Sequence, residues 1–265
     1  MRIIVPVKQV PETNAVRMDE TTGTMIREGV EAIVNPLDLY AIELAIRLRE
    51  EHGGDVTALS MGPPSAGKAL REAIAMGCDS AVLVSDRLFA GSDTWATSLT
   101  LAAAIRKLGG ADLILCGERA TDGDTGQVGP GTASFLDLPV ATYVSRITGL
   151  DEKSVIVHRL VEDGYEVLDV ELPAVLTVVK EAADPRLPTL RGKRKARAAE
   201  LPVWGATDLG LEPSEIGLKG SPTRVVKIFR PSVAREGERI VASDEKSVEE
   251  AADRLVAFLR ERQLL

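Results

Sequence analysis

An α/β fold built on a doubly wound, mainly parallel sheet is predicted by three features of this 265-residue chain. Strand-length apolar runs alternate with stretches of helical periodicity from Arg2 to Leu136. Glycine- or proline-bearing segments stand where those strands end, which is where open α/β sheets bind their ligands. After Pro139 four strand-like runs follow without intervening helices, so antiparallel strands are expected to extend the sheet. A chain of this length can bury a substantial core.

Taken in order, Arg2-Ile-Ile-Val-Pro-Val-Lys8 reads as a first buried strand. Val16-Arg-Met-Asp and Thr24-Met-Ile-Arg flank a Thr-Thr-Gly turn and suit a small hairpin. Leu37, Tyr40, Ala41, Leu44, Ala45 and Leu48 recur at helical spacing, which predicts an amphipathic helix over 37–51. Asn35 is its candidate N-cap, Pro36 suits the first helical position, and Gly53-Gly54 ends it. The pattern then repeats: strand 56–61, helix 66–76 with Gly77 as C-cap, strand 81–84, helix 94–108, strand 113–116. Asp93 is a candidate cap for the helix at 94, with Trp95 expected to be buried and Thr94 and Thr97 on one side of its first turn.

The later strands are expected at 142–147, 154–160, 165–172 and 174–179. From Asp184 the pattern dissolves into Pro, Arg and Lys. Leu201 to Glu238 has weak periodicity and reads as an extended arm packing on another polypeptide. Ser247 and Glu250 form a candidate capping box for a last helix, with Val248, Ala251, Ala252, Leu255 and Leu259 on one face. These shifts divide the chain into 1–183, 184–200 and 201–265.

Composition excludes several functions. A net charge of −8, from 32 basic and 40 acidic residues, argues against a general nucleic-acid binder. No run approaches a transmembrane length, and Met1-Arg-Ile-Ile-Val-Pro-Val is too short for a signal peptide. Cys78 and Cys116 stand far apart with no Cys-x-x-Cys, as expected of buried thiols in a reducing cytoplasmic setting. His52 and His158 are the only histidines and form no metal-ligand spacing, so neither a zinc site nor a histidine triad is expected. Gly62-Pro-Pro-Ser-Ala-Gly67-Lys68-Ala69 approaches a P-loop, but Ala69 lacks the Mg²⁺-holding hydroxyl and two prolines remove amide donors. NTP hydrolysis is not expected.

The most telling stretch is Gly117-Glu-Arg-Ala-Thr-Asp-Gly-Asp-Thr-Gly-Gln-Val-Gly-Pro130, between a strand and a helix continuing through Thr132-Ala-Ser-Phe-Leu136. Its glycines permit close backbone approach, and a strand-to-helix junction offers free N–H groups and a positive helix end to a phosphate. Asp122 and Asp124 suit ribose hydroxyls or adenine N–H groups. A glycine-rich surface loop with Asx turns accounts for the same residues, and spacing alone leaves both readings open.

Lys8-Gln-Val-Pro-Glu-Thr13, Val34-Asn-Pro-Leu-Asp38, Ser60-Met-Gly-Pro63, Ala120-Thr-Asp-Gly-Asp-Thr-Gly-Gln127 and Gly217-Leu-Lys-Gly-Ser-Pro-Thr223 occur in register along nearly the whole chain. Together they resemble the β subunit of electron-transfer flavoproteins, a fold of the adenine-nucleotide α-hydrolase type. With Asp93-Thr-Trp-Ala-Thr97, the form Asp-Gly-Asp-Thr-x-Gln-Val-Gly-Pro is most similar to the electron-bifurcating branch. The resemblance implies FAD in this chain, with AMP as the conventional alternative, and a second FAD in a partner α subunit. The expected pocket is Pro6, Lys8, Asn35, Met61, Gly62, Pro63, Thr94 and Thr97 with the loop Gly117, Ala120, Thr121, Asp122, Gly123, Asp124, Thr125, Gly126, Gln127 and Val128. It also implies a basic recognition loop over 184–200, with Leu190 as apolar anchor beside Arg191 and Lys193, for an acyl-CoA dehydrogenase-like flavoprotein. NADH as donor and ferredoxin or flavodoxin as acceptor follow from the bifurcating branch. A non-redox adenine-nucleotide sensor of the same fold is the alternative from another class, although it needs neither the arm nor the basic loop.

Overall fold

The computed structural model describes residues 1–12, 32–226 and 239–265, and the backbone of 17–18 and 25–26. Alternating β-rich and helix-forming segments give β1 (Arg2–Pro6), β2 (Gln9–Pro11), β3 (Arg17–Met18), β4 (Met25–Ile26), β5 (Ala32–Val34) and α1 (Pro36–His52). They continue as β6 (Asp55–Met61), α2 (Gly67–Met76), β7 (Ser80–Val84), α3 (Thr94–Lys107), β8 (Leu113–Gly117) and α4 (Val128–Leu136). Then come β9 (Val140–Leu150), β10 (Ser154–Val161), β11 (Gly164–Glu171), β12 (Ala174–Val178) and α5 (Leu190–Ala198). The last elements are β13 (Val203–Trp204), α6 (Ala206–Leu209), α7 (Gly217–Gly220) and α8 (Glu245–Glu261). β3 and β4 pair antiparallel as the predicted hairpin, whose turn lies outside the described residues.

The main sheet runs β11-β10-β9-β12-β8-β1-β6-β7-β13. β1 pairs parallel with both β6 and β8, so the chain winds outward from β1 in two directions. The β1–β8 boundary is therefore the switch point, where crossovers leave for opposite faces, the place at which open α/β sheets bind their ligands. One apolar cluster packs α1, α2 and Ala196 of α5 on one face. A second packs Leu101, Ala104 and Ile105 of α3 with Ala133 of α4 on the other.

Three sequence expectations need correction. β12 is not antiparallel: it lies between β8 and β9 and pairs parallel with both. Ala174-Val-Leu-Thr-Val178 is buried at every position, the unbroken apolar run of a strand covered on two faces. Only β9, β10 and β11 form an antiparallel meander. The basic segment is a helix, not a loop, over Leu190–Ala198, with Thr189 accepting the Gly192 N–H at 2.9 Å. The cap of α8 is Asp244, with Ser247 at its third helical position, so the box starts three residues before the predicted one.

Residues 201–226 are also more ordered than their weak periodicity suggests. Val203–Trp204 adds a ninth strand against β7, and Ile216 is buried. The first compact unit therefore extends over Met1–Lys227, with Ile228–Leu265 a second unit. Residues 227–238 of the expected arm lie outside the described residues.

A buried carboxylate fastens the segment after β12. Glu43 of α1 has a side chain only 2% exposed and pairs with Arg47 at 2.6 Å and Arg186 at 2.7 Å. Arg186 also reaches Glu50 at 2.6 Å. Burial by itself would raise the Glu43 carboxyl, but the Arg186 and Arg47 hydrogen bonds outweigh it and hold the group below 4.5. That contribution is present at neutral pH and is lost as the pH falls below 4.5. Arg186→Ala is expected to cost about 2–3 kcal/mol, because it strips a buried charge of its fork. Urea denaturation should show a lower midpoint with an unchanged slope.

Candidate functional site

The predicted site residues converge on the carboxyl edge of the parallel strands. Pro6 ends β1, Met61 ends β6 and Gly117 ends β8. Asn35 precedes α1, while Thr94 opens α3 and Val128 opens α4. These termini share the edge because every crossover of the parallel sheet begins there.

Asn35 stands at the predicted cap position, but its side chain does not cap the helix. Its Nδ2 donates to Asp38 Oδ1 and to the Arg119 carbonyl, both at 2.9 Å. Its Oδ1 accepts the Thr121 N–H at 3.2 Å. Asp38, in the first turn of α1, accepts the Lys8 N–H on Oδ2 at 2.7 Å. Asn35 and Asp38 are 1% and 6% exposed. One buried amide–carboxylate pair thus ties the strand end at Lys8, the start of α1 and the glycine-rich loop together. A Cβ at Gly117 would stand 2.5 Å from Asp38 Oδ1 and 2.8 Å from the Leu37 carbonyl carbon, so only glycine lets β8 approach the pair.

Outside this buried knot, Lys8 Nζ meets Asp122 Oδ1 at 2.6 Å across the switch point. Thr94 Oγ1 meets Thr125 Oγ1 at 3.1 Å, joining α3 to the loop. Asp93 caps α3 through the Ala96 N–H at 3.1 Å and holds Thr223 at 2.7 Å, tying the 217–223 motif to the same helix end. Trp95 is not buried: it is 56% exposed and meets Phe135 edge-on at 4.8 Å. Residues 121–125 and Gln127 are exposed.

Other predicted residues are placed less directly. Gly62 donates its N–H to the Val84 carbonyl. Among the described residues Met61, Gly62, Pro63 and Thr97 make no polar contact with the glycine-rich loop. Gln9, absent from the predicted set, links the β1 and β6 ends by donating to the Ser65 carbonyl at 2.9 Å. Leu190, Arg191 and Lys193 belong to another surface, on α5 against α2. Asp38 is the consequential omission. It sits within the Val34–Asp38 motif, yet spacing gives no sign that a carboxylate there turns inward.

Burial pushes the Asp38 carboxyl up to about 7, against the Lys8 N–H and Asn35 amide that favour its charged form. Cys78 and Cys116 are buried free thiols, each pushed up to about 12 by burial and so unreactive. Among the described residues no helix is long and apolar enough to cross a membrane, and no His, Cys, Asp or Glu cluster suits a metal ion.

The topology defines a doubly wound α/β protein with its switch point between β1 and β8. Comparison with known families matches residues 22–209 to the electron transfer flavoprotein domain. The caffeyl-CoA reductase–Etf complex subunit CarD of Acetobacterium woodii is 48% identical over 266 residues, covering 100% of each chain. The electron transfer flavoprotein subunit beta of Thermoanaerobacterium thermosaccharolyticum is 48% identical over 256 residues, covering 96% of this chain and 98% of its own. The acryloyl-CoA reductase electron transfer subunit gamma of Anaerotignum propionicum is 45% identical over 263 residues, covering 97% and 98%. The chain belongs to the electron transfer flavoprotein β-subunit family.

Asp38→Asn offers one amide oxygen where two carboxylate oxygens now accept, so a buried donor loses its partner at a cost of about 1–3 kcal/mol. The ordinary Asp38 value of 3.8 lies below its folded value of about 7. Across that window the folded chain holds a proton the unfolded chain has released, so stability falls as pH rises. The slope from this group approaches about 1.4 kcal/mol per pH unit. Thermal unfolding of the two proteins from pH 4 to 8 should show that slope flattened in the variant.

Proposed function

We propose that the chain is the β subunit of a heterodimeric, electron-bifurcating flavoprotein, binding FAD in the switch-point crevice. The observation that carries this is the meeting of three family motifs at one strand edge, where Asn35 and Asp38 tie Lys8, the start of α1 and the glycine-rich loop together. The residues fit such a ligand. α4 begins without a side-chain cap at Gln127, leaving its first N–H groups available to a phosphate. Among the described residues, and apart from its chain neighbours, nothing lies within 4 Å of where a Gly123 Cβ would stand, so the loop has room on that side. Thr94 and Thr125 offer hydroxyls to phosphate or ribose, while Lys8 supplies a cation and Asp122 an acceptor.

A flavin bound here would supply the redox chemistry, with NADH as hydride donor and two one-electron acceptors in this reading. The chain supplies the binding, orientation and electrostatic setting. Its partner in this reading is an α subunit holding a second FAD, with ferredoxin or flavodoxin as one acceptor. An acyl-CoA dehydrogenase-like flavoprotein is the other, in keeping with the caffeyl-CoA and acryloyl-CoA reductases named for the two relatives. The apolar side chains of α8, including Val248, Leu255 and Phe258, are exposed and suit a surface for the α subunit. The buried free thiols suit a cytoplasmic protein.

Nucleotide released on denaturing the purified heterodimer tests the reading. Two FAD per heterodimer are expected. One FAD with one AMP would make this a conventional subunit, and ATP alone a non-redox nucleotide-binding module.

A docking role for α5 has separate support. Leu190 is 87% exposed at its first turn, and Arg191 and Lys193 are exposed beside it. Gly192 presses so closely on α2 that an added Cβ would stand 2.0 Å from the Ala75 carbonyl oxygen, which keeps this helix in place. Leu190→Ala should weaken turnover with the dehydrogenase partner by about 1–2 kcal/mol of lost burial. Flavin content and NADH-dependent flavin reduction should not change; partner turnover left intact would remove the anchor.

A further inference from the structure

Tyr143 carries a feature that the fold does not require. It lies within β9 with φ at 58°, a left-handed conformation that is unfavourable for a bulky side chain. The neighbouring ladder is broken at the same place. Leu176 faces Ala141 and Val178 faces Val144, leaving both Thr142 and Tyr143 opposite the single residue Thr177. Such a bulge re-aims a side chain that regular pleating would send elsewhere.

The conformation is held from below. Thr177, 2% exposed, accepts the Tyr143 N–H on Oγ1 at 3.1 Å, replacing the lost ladder bond. The Thr177 methyl stands 2.6 Å from where a Gly129 Cβ would be, so the first turn of α4 leaves it no other place. Glycine at 143 would adopt this backbone without strain. A tyrosine there puts its hydroxyl 3.9 Å from the Cβ position of Gly126, over the middle of the glycine-rich loop. The side chain nevertheless stays 45% exposed. Among the described residues its hydroxyl has no protein hydrogen-bond partner, and the ring pair present is Trp95 with Phe135.

Resting on the nucleotide reading above, we propose that Tyr143 is a binding residue of the crevice, its phenol ring packed against a planar ring of the bound nucleotide. That ring is the adenine or the isoalloxazine, two heterocycles that an aromatic face recognises in the same way. Strain in β9 is thus the cost of placing an aromatic surface beside a loop too small-chained to supply one.

The test uses the heterodimer stripped of nucleotide and titrated separately with FAD and with AMP. Tyr143→Leu should weaken binding by about tenfold. Tyr143→Phe, which keeps the ring, should bind within about twofold of wild type, a rescue that a merely structural tyrosine hydroxyl would not show. Tyr143→Gly should lose affinity as the leucine variant does, while its thermal midpoint stays level or rises because the strain is gone. Weakening of both ligands assigns the adenine ring, and weakening of FAD alone the isoalloxazine; either supports the proposal. Unchanged affinities in both the leucine and glycine variants would overturn it, as would a phenylalanine variant as weak as leucine. A wild-type heterodimer that binds neither FAD nor AMP would sink the nucleotide reading itself, before any variant is made.

Discussion

The carboxylate of Asp38 sits where the chain has three segments to reconcile: the exit from β1, the entry to α1 and the loop leaving β8. Each brings backbone polar groups that need partners once solvent is excluded. Asp38 and Asn35 meet that need with four hydrogen bonds through two side chains, two of them accepted from the Lys8 and Thr121 N–H groups. A hydrophobic pair in the same space would leave those groups unsatisfied and the loop unplaced. Gly117 is the steric counterpart, since the strand end comes against the carboxylate with no room for a side chain.

Around this knot the molecule separates holding from presenting. Both sheet faces are sealed by apolar clusters, and charge enters the core where Glu43 grips Arg186. The polar groups suited to a ligand gather at one strand edge, on residues 121–127, which stay largely open to solvent. α5 is secured separately, by Gly192 against α2 and by Lys195 donating to the Cys78 carbonyl at 3.0 Å. α5 and the glycine-rich loop are thus held in place by separate sets of contacts.

For an electron-carrying subunit that separation has a physical use. A redox ligand needs a fixed, preorganised setting, because its properties follow from nearby charges and hydrogen bonds. An encounter surface needs exposure and charge instead. The Lys8–Asp122 pair and the Thr94–Thr125 contact show loop residues already linked to rigid element ends. The bulge at Tyr143 extends the same arrangement to β9, a strand that otherwise lies beyond β12 from the switch point.

Periodicity and punctuation in the sequence determined the alternation of strands and helices, most element bounds and the strand ends that carry the motifs. These are local properties: a 3.6-residue apolar repeat, or a glycine after a helix, keeps its meaning wherever the segment ends up. The direction of β12, the order of residues 201–226 and the inward turn of Asn35 and Asp38 were decided only in three dimensions. A short apolar strand pairs equally well in either direction until its neighbours are known, and weakly periodic segments such as Val203–Trp204 become ordered through an edge supplied by β7. An Asn three residues before an Asp reads as a cap because its alternative partners, Arg119 and Thr121, are more than eighty positions away. Tyr143 is the extreme case: its strain and its reach over Gly126 exist only because Thr177 and Gly129 meet beneath it.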